Sequence, residues 1–204
     1  MTVRQRVLLQ QFARFPRRGG VKTRLQPLLG ADGALALHCE LMQRTSADLL
    51  ACGIGPVELW LDEVASHPAV TQCLALGVEG PQEQQGRDLG ERMAAALCAG
   101  LARADRVLLT GSDCPFLDVA YLRSAALALE SSDVVFGPAE DGGYVLLGCR
   151  RMRRDLLQGV AWGTESTLQE SEACVAAGGF SSARLALRYD IDRPEDLRRW
   201  RGAT

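Results

Sequence analysis

One basic loop and three acidic stations carry the chemical possibilities of this chain. The loop runs Arg14-Phe15-Pro16-Arg17-Arg18-Gly19-Gly20-Val21-Lys22-Thr23-Arg24-Leu25, and five of its twelve residues are cationic. Residues 1–31 contain no acid, and Lys22 is the only lysine among 23 Lys+Arg. Paired glycines let backbone N–H groups approach a bulky anion and accept positive φ without steric cost. The compact ammonium of Lys22 complements them in a way that the planar arginine fork does not. This combination suits a polyphosphate, with Arg14, Gly20, Lys22 and Arg24 as its candidate contacts.

The acids are Asp113, the pair Glu140/Asp141, and Asp190/Asp192. A gripped diphosphate calls for a divalent cation, and Mg2+ or Mn2+ takes one or two carboxylates plus phosphate oxygens and water. Asp113 is the first candidate ligand and Asp190 the second. Asp192 is the third, although Asp192-x-x-Glu195 with Pro194 in the first turn also reads as a capping box. Asp113 has a plainer reading too, as a turn residue before Pro115. In Glu140-Asp141-Gly142-Gly143, a carboxylate beside two glycines can act as general base on a hydroxyl or bind sugar hydroxyls. The competing reading is an ordinary Asp-Gly hairpin turn. Gln85 and Asp88 are candidate contacts to a base or ribose, together with Gly86 and Arg92, while Asp88 with Glu91 equally fits a helix cap. Cys114 has no histidine placed to activate it and reads as a small core residue. His38 and His67 read as structural.

These residues need a scaffold that brings strand ends together. An apolar strand over 6–13 precedes the basic loop, and apolar spacing predicts a helix from Ala31 to about Leu50. Val57–Leu61 reads as a second strand, and His67-Pro68 opens a short helix that stops at Gly77. Gln82–Gly86 reads as a polar loop and Asp88 starts a helix to about Arg103. The unalternated run Val107–Thr110 suits a central parallel strand covered on both faces. It places Asp113 just beyond its carboxyl end, where ligands of open α/β sheets bind. A helix over 117–130, a strand over 132–138 and a returning strand over 143–147 follow. A helix over 164–177, a late strand at Leu185–Tyr189 and a C-terminal helix complete the chain. Alternating strands and helices predict a single three-layer α/β domain over 1–204, with a mostly parallel mixed sheet and one reversed strand near Gly143.

Composition narrows the partners. A net charge of −2 argues against a general nucleic-acid or membrane-surface binder. The basic amino-terminal part therefore favours a small anionic ligand, namely a nucleotide or nucleotide sugar, with a small-molecule acceptor. Seven cysteines without a C-x-x-C pair, and only two histidines, argue against a Cys/His zinc site and for a reducing, cytoplasmic setting. No run reaches the roughly 18 apolar residues of a membrane span, and no apolar h-region follows the first arginines. Oligomeric state is not legible.

Lys22-Thr23-Arg24-Leu25, Gln85-Gly86-Arg87-Asp88-Leu89-Gly90-Glu91-Arg92-Met93, Gly111-Ser112-Asp113-Cys114-Pro115, Gly137-Pro138-Ala139-Glu140-Asp141-Gly142-Gly143-Tyr144 and the segment Asp190–Leu197, in that order, resemble a bacterial family of small proteins. These have a nucleotide-diphospho-sugar-transferase fold, are often labelled glycosyltransferase, and are similar to the phospholactate guanylyltransferases. The resemblance spans nearly the whole chain. It implies a Rossmann-like GT-A fold, a nucleotide or nucleotide-sugar ligand and a divalent metal. It further implies that Lys22 and Arg24 contact phosphate, that Asp113 contacts metal, and that the Asp190/Asp192 region closes the site. The family's long G-x-G-x-R loop is shortened here to Gly19-Gly20 with Lys22 and Arg24, which leaves the base unassigned.

Two reactions fit these residues. In glycosyl transfer to a hydroxyl, the metal and Lys22 stabilise the departing diphosphate and Asp141 or Glu140 serves as base. In nucleotidyl transfer, a phosphorylated acceptor attacks the α-phosphate of a nucleoside triphosphate and needs no base. The resemblance implies that the guanylyltransferases lack the Glu-Asp pair, and its presence here points to glycosyl transfer as the leading expectation. A nucleotide-binding protein without turnover is the third.

Overall fold

Most apolar runs of this chain alternate with helical segments that carry an apolar face, so burial requires helices packed on a sheet. The computed structural model describes residues 5–202. Its strands are β1 Gln5–Ala13, β2 Val57–Leu61, β3 Glu79–Glu83, β4 Ala104–Thr110, β5 Val134–Pro138, β6 Tyr144–Cys149 and β7 Ser182–Arg184. The helices are α1 Gln26–Ala51, α2 Pro68–Ala75, α3 Leu89–Leu101, α4 Val119–Ala128, α5 Thr167–Ala177 and α6 Pro194–Gly202. The seven strands form one sheet in the order β3-β2-β1-β4-β6-β5-β7. Only β6 runs against its neighbours, pairing antiparallel with both β4 and β5. This is the mostly parallel mixed sheet with one reversed strand that the sequence pattern implied.

Period-two alternation in β1 feeds both faces of the sheet. Val7 and Leu9 pack with α1, α2 and α4 through Met42, Leu49, Val70 and Leu122. Leu8 and Phe12 pack on the other face with α3 and α5 through Met93, Leu97, Leu168 and Val175. Burying each such side chain stabilises the fold by about 1.5–3 kcal/mol. A third, smaller cluster joins Leu25, Leu37 and Leu41 to Ile191, Leu197 and Trp200, tying α1 to α6.

Two elements differ from the sequence expectation, and helix α1 extends it by a short turn before Gly30. Glu79–Glu83, of which Gln82 and Glu83 were expected as loop, is the edge strand β3 and pairs parallel with β2. Its exposed Glu-Gly-Pro-Gln-Glu run lacks an apolar face, and Pro81 is tolerated because the strand lies at an edge. The late strand is Ser182–Arg184, not Leu185–Tyr189, which retains only an isolated bridge between Ala139 and Arg188. Helix α1 begins at Gln26, but Gly30 is non-helical (φ 70°, ψ 172°), so the continuous helix starts at Ala31. Among the described residues no helix is long and apolar enough to cross a membrane, and all seven cysteines are free.

Candidate active site

Sheet register decides which loops meet. In the parallel pairs, Ala13 of β1 stands beside Leu61 of β2, and Gln11 stands beside Thr110 of β4. Arg14, Asp62 and Gly111-Ser112-Asp113 therefore leave the sheet side by side at its carboxyl edge. The crossovers out of β1 and into β4 run on opposite faces, through α1 and α3, so a crevice opens between their loops. Buried side chains brace its floor: Gln11 Nε2 donates to Ser112 Oγ (3.0 Å), which in turn donates to the Phe12 carbonyl (3.0 Å).

Lys22 reaches this crevice from the basic loop. Gly19 takes φ +77° in a turn closed by the Gly20 N–H on the Arg17 carbonyl (2.9 Å). Lys22 itself is left-handed (φ 47°), an uncommon conformation for a side-chain-bearing residue, and leads straight into a short 3-10 turn over Thr23–Leu25. Its side chain is 3% exposed, with Nζ lying 2.8 Å from Asp113 Oδ1 and donating to the Ile191 carbonyl. The Ile191 N–H returns a bond to the Asp113 carbonyl (2.8 Å). The basic loop, the β4 loop and the 190s loop thus close on one ammonium.

The acids of the crevice outnumber that ammonium. Asp113 Oδ1 is buried and has no aligned hydrogen bond despite its contact with Lys22, while the rest of its side chain is open. Burial pushes the Asp190 carboxyl up to about 6, reinforced by the charges of Asp141 and Asp113 and opposed by Lys22. Carboxylate oxygens with unmet capacity are the donors that Mg2+ or Mn2+ prefers, so the residues present fit such an ion. Among the described residues no group of three or more His, Cys, Asp or Glu stands close enough to hold a metal alone. Phosphate oxygens and water would complete the coordination.

The crevice has two lobes that share Phe12, Leu89, Gly111 and Asp113. The wider, about 550 Å³, is lined by Arg14, Lys22, Arg24, His38, Gln84 and Arg92, among others. The narrower, about 250 Å³, contains Asp141 and Asp190 among apolar side chains. His38 Nε2 lies 2.9 Å from the Arg14 carbonyl, and burial pushes its pKa down, so the neutral ring donates there and braces the crevice wall. Burial pushes the Cys114 thiol up to about 12, which makes it a poor nucleophile.

Arg14, Lys22, Arg24, Asp113, Asp141, Asp190 and Asp192 are brought together around the crevice. Four other candidates stand elsewhere. Glu140 turns away and pairs with Arg199 of α6 (2.8 Å), because neighbouring residues of a tight turn face opposite sides. Asp141 stays in the narrower lobe, its Oδ1 accepting the Gly143 N–H (2.9 Å). Gly142 makes this turn possible, since a Cβ there would lie 2.2 Å from the Glu165 carbonyl oxygen. Gln85 is exposed and donates to Glu83, whereas Gln84 lines the wider lobe, its Nε2 donating to the Ala13 (3.1 Å) and Trp60 (3.0 Å) carbonyls. Asp88 caps α3 by accepting the Glu91 N–H (2.8 Å). Gly20 shapes the basic loop without lining the crevice.

Asp192 is engaged by Arg24, and the expected capping box is replaced. Asp196, not Glu195, reaches back to accept the N–H groups of Asp192 (3.2 Å) and Arg193 (2.7 Å). Asp62, which accepts the Phe15 N–H (2.6 Å) and lines the wider lobe, was missed. Its signal was legible, since it follows β2 as Asp113 follows the β4 run.

A family described as an uncharacterized protein conserved in bacteria (DUF2064) matches residues 45–164, more than half of the chain. The chain belongs to DUF2064. Among curated proteins, the 2-phospho-L-lactate guanylyltransferase of Methanothermobacter thermautotrophicus is 26% identical over 170 residues, which cover 83% of this chain and 67% of the relative. Among solved structures, a protein of Desulfovibrio desulfuricans G20, provisionally assigned as a nucleotide-diphospho-sugar transferase, superposes with a TM-score of 0.86 at 29% identity. That match covers 98% of this chain and 88% of the other. A CMP:2-keto-3-deoxy-manno-octonic acid synthetase solved with CTP shares the fold at 15% identity (TM-score 0.61, 98% of each chain). Rv0371c of Mycobacterium tuberculosis H37Rv, solved with manganese, does so at 18% (TM-score 0.56, 98% and 100%). This DUF2064 chain thus has the nucleotide-diphospho-sugar transferase and nucleotidyltransferase fold.

Proposed function

We propose that this protein is a divalent-metal-dependent nucleotidyltransferase that joins a nucleoside monophosphate to a phosphorylated small acceptor and releases pyrophosphate. The observation that carries this reading is the wider lobe, in which Arg14, Arg24 and Arg92 surround the pair formed by buried Lys22 and half-exposed Asp113 at a strand-end crevice. A lobe of this charge suits the triphosphate and the pyrophosphate that leaves it. The guanylyltransferase relative supports the same chemistry. The Glu-Asp pair was the reason to expect glycosyl transfer, and that reason is weakened by Glu140 facing Arg199 outside the crevice.

In this reading Lys22 holds the phosphate chain in line with the acceptor, with Asp113 and the Ile191 carbonyl fixing where its ammonium points. Arg14 and Arg92 have no ion-pair partner among the described residues and are available to phosphate oxygens. Asp113, with Asp190, would hold the metal, which supplies charge neutralisation at the reacting phosphate. The acceptor phosphate is already ionised, so no side chain need remove a proton. Glycosyl transfer remains the second reading because Asp141, a usable base, stays in the narrower lobe. Incubation with each common nucleoside triphosphate, Mg2+ or Mn2+ and a panel of phosphorylated acceptors tests the choice. Pyrophosphate release supports nucleotidyl transfer; turnover only of nucleotide sugars with hydroxyl acceptors would replace it.

A further inference from the structure

The narrower lobe differs in chemistry from the basic one. Its walls include Met93, Leu146, Tyr144 and Trp162, with Tyr144 edge-on to Trp162 at 6.4 Å. Trp162 lies against α3 where Gly90 leaves room, since a Cβ at position 90 would come within 2.5 Å of the indole. The charged residues of this lobe are Asp113, Asp141 and Asp190, and no Lys, Arg or His is among the described residues that line it. The hydroxyls at its rim are committed, Thr164 and Thr167 both donating to the Ala161 carbonyl (3.0 and 2.8 Å). The lobe offers apolar and aromatic surface and negative charge, and it opens onto the basic lobe beside Asp113.

We propose that the narrower lobe is the acceptor subsite and that it takes a phosphomonoester with an apolar carbon skeleton and no carboxylate, packed against Trp162 and Met93. The inference rests on the nucleotidyl-transfer reading and deepens it. The acceptor's phosphate lies at the junction with the basic lobe, where Lys22 stands, and its skeleton extends into the narrower lobe. An acceptor phosphate oxygen forms a bond to the α-phosphorus of the nucleoside triphosphate. The bond from that phosphorus to the α–β bridging oxygen breaks, and its electron pair leaves on pyrophosphate. With Asp113 and Asp190 taken up by the metal, a carboxylate on the skeleton would still face Asp141 and find no Lys, Arg or His among the described lining residues, and would lose its hydration without a side-chain counter-charge. The acceptor class therefore differs from that in the guanylyltransferase relative's name, since 2-phospho-L-lactate carries a carboxylate beside its phosphate.

The test compares n-butyl phosphate with 4-phosphooxybutyrate, which has the same chain length and a terminal carboxylate, and with 2-phospho-L-lactate. Binding is read with Mn2+ and a non-hydrolysable nucleoside triphosphate, as the tryptophan fluorescence of the wild type less that of Trp162→Phe. Pyrophosphate release is read in parallel with each common nucleoside triphosphate. The expected result is half-saturation by n-butyl phosphate at a concentration at least about tenfold lower than by either carboxylated acceptor, a factor equivalent to about 1.4 kcal/mol. Asp141→Asn should narrow that gap at least about threefold by removing one repelling charge. Equal or tighter binding of the carboxylated acceptors, with pyrophosphate released from them, overturns the inference and leaves nucleotidyl transfer standing. Pyrophosphate from none of the acceptors overturns nucleotidyl transfer itself, and the acceptor role of the lobe with it.

Discussion

Replacing Asp190 with asparagine should make the metal-free protein more stable at neutral pH. The Asp190 carboxyl is raised from an ordinary 3.8 to about 6, first by burial and then by Asp141 and Asp113. A carboxyl whose folded value exceeds its unfolded one costs nothing below about pH 4, and its full cost is felt above about pH 6. At about 1.4 kcal/mol per pH unit, ionised Asp190 destabilises the fold by about 2–3 kcal/mol at pH 7.5. For a chain of 204 residues this corresponds to about 4–12 °C in Tm. Thermal unfolding of wild type and Asp190→Asn, without metal, from pH 4 to 8 should give curves that converge near pH 4 and separate as pH rises, with the variant higher. MnCl2 at pH 7.5 should raise the wild-type Tm and raise the variant's less, because an ion bound there favours the ionised carboxylate. A variant no more stable than wild type at pH 7.5, or a gain undiminished at pH 4, would refute this account of the crevice.

Other substitutions separate the roles of the crevice residues. Lys22→Met should weaken nucleoside triphosphate binding by about 10–100-fold, the worth of one charged hydrogen bond of about 1.5–3 kcal/mol, measured by titration calorimetry. Asp113→Ala should abolish the Mn2+ dependence of nucleotide binding, followed in the same calorimeter with and without the ion. Glu140→Gln should leave pyrophosphate release unchanged and cost less than about 1 kcal/mol in urea unfolding, since its partner Arg199 is an exposed arginine outside the crevice. Gly142→Ala should destabilise the fold by about 1–3 kcal/mol, because φ +88° and the Glu165 carbonyl at 2.2 Å exclude a Cβ.

Strong, unalternated signals carried most of the fold. The run Val107–Thr110 announced a central strand, and the glycines around Asp141 announced the reversed strand that follows. β3 was partly hidden because an edge strand needs little apolar surface, and Glu-Gly-Pro-Gln-Glu shows none. At the site, residue type and strand end sufficed to bring Lys22 and Asp113 to one crevice. Side-chain direction within a turn did not follow from sequence, so Glu140 and Asp141 parted, and Gln84 took the lining position expected of Gln85. His38 could not be placed at the wall because its neighbour there, the Arg14 carbonyl, belongs to another element.

The bond from Lys22 to the Ile191 carbonyl spans 169 positions of the chain, and the small cluster of Leu25, Leu37, Leu41, Ile191, Leu197 and Trp200 spans a similar stretch. During synthesis, a ribosome that has extruded everything through α5 has produced nearly all of the sheet but not this clasp. In the proposed reading, nucleotide affinity should therefore arrive late and abruptly, as the segment from Asp190 to Trp200 emerges, rather than growing in step with the scaffold.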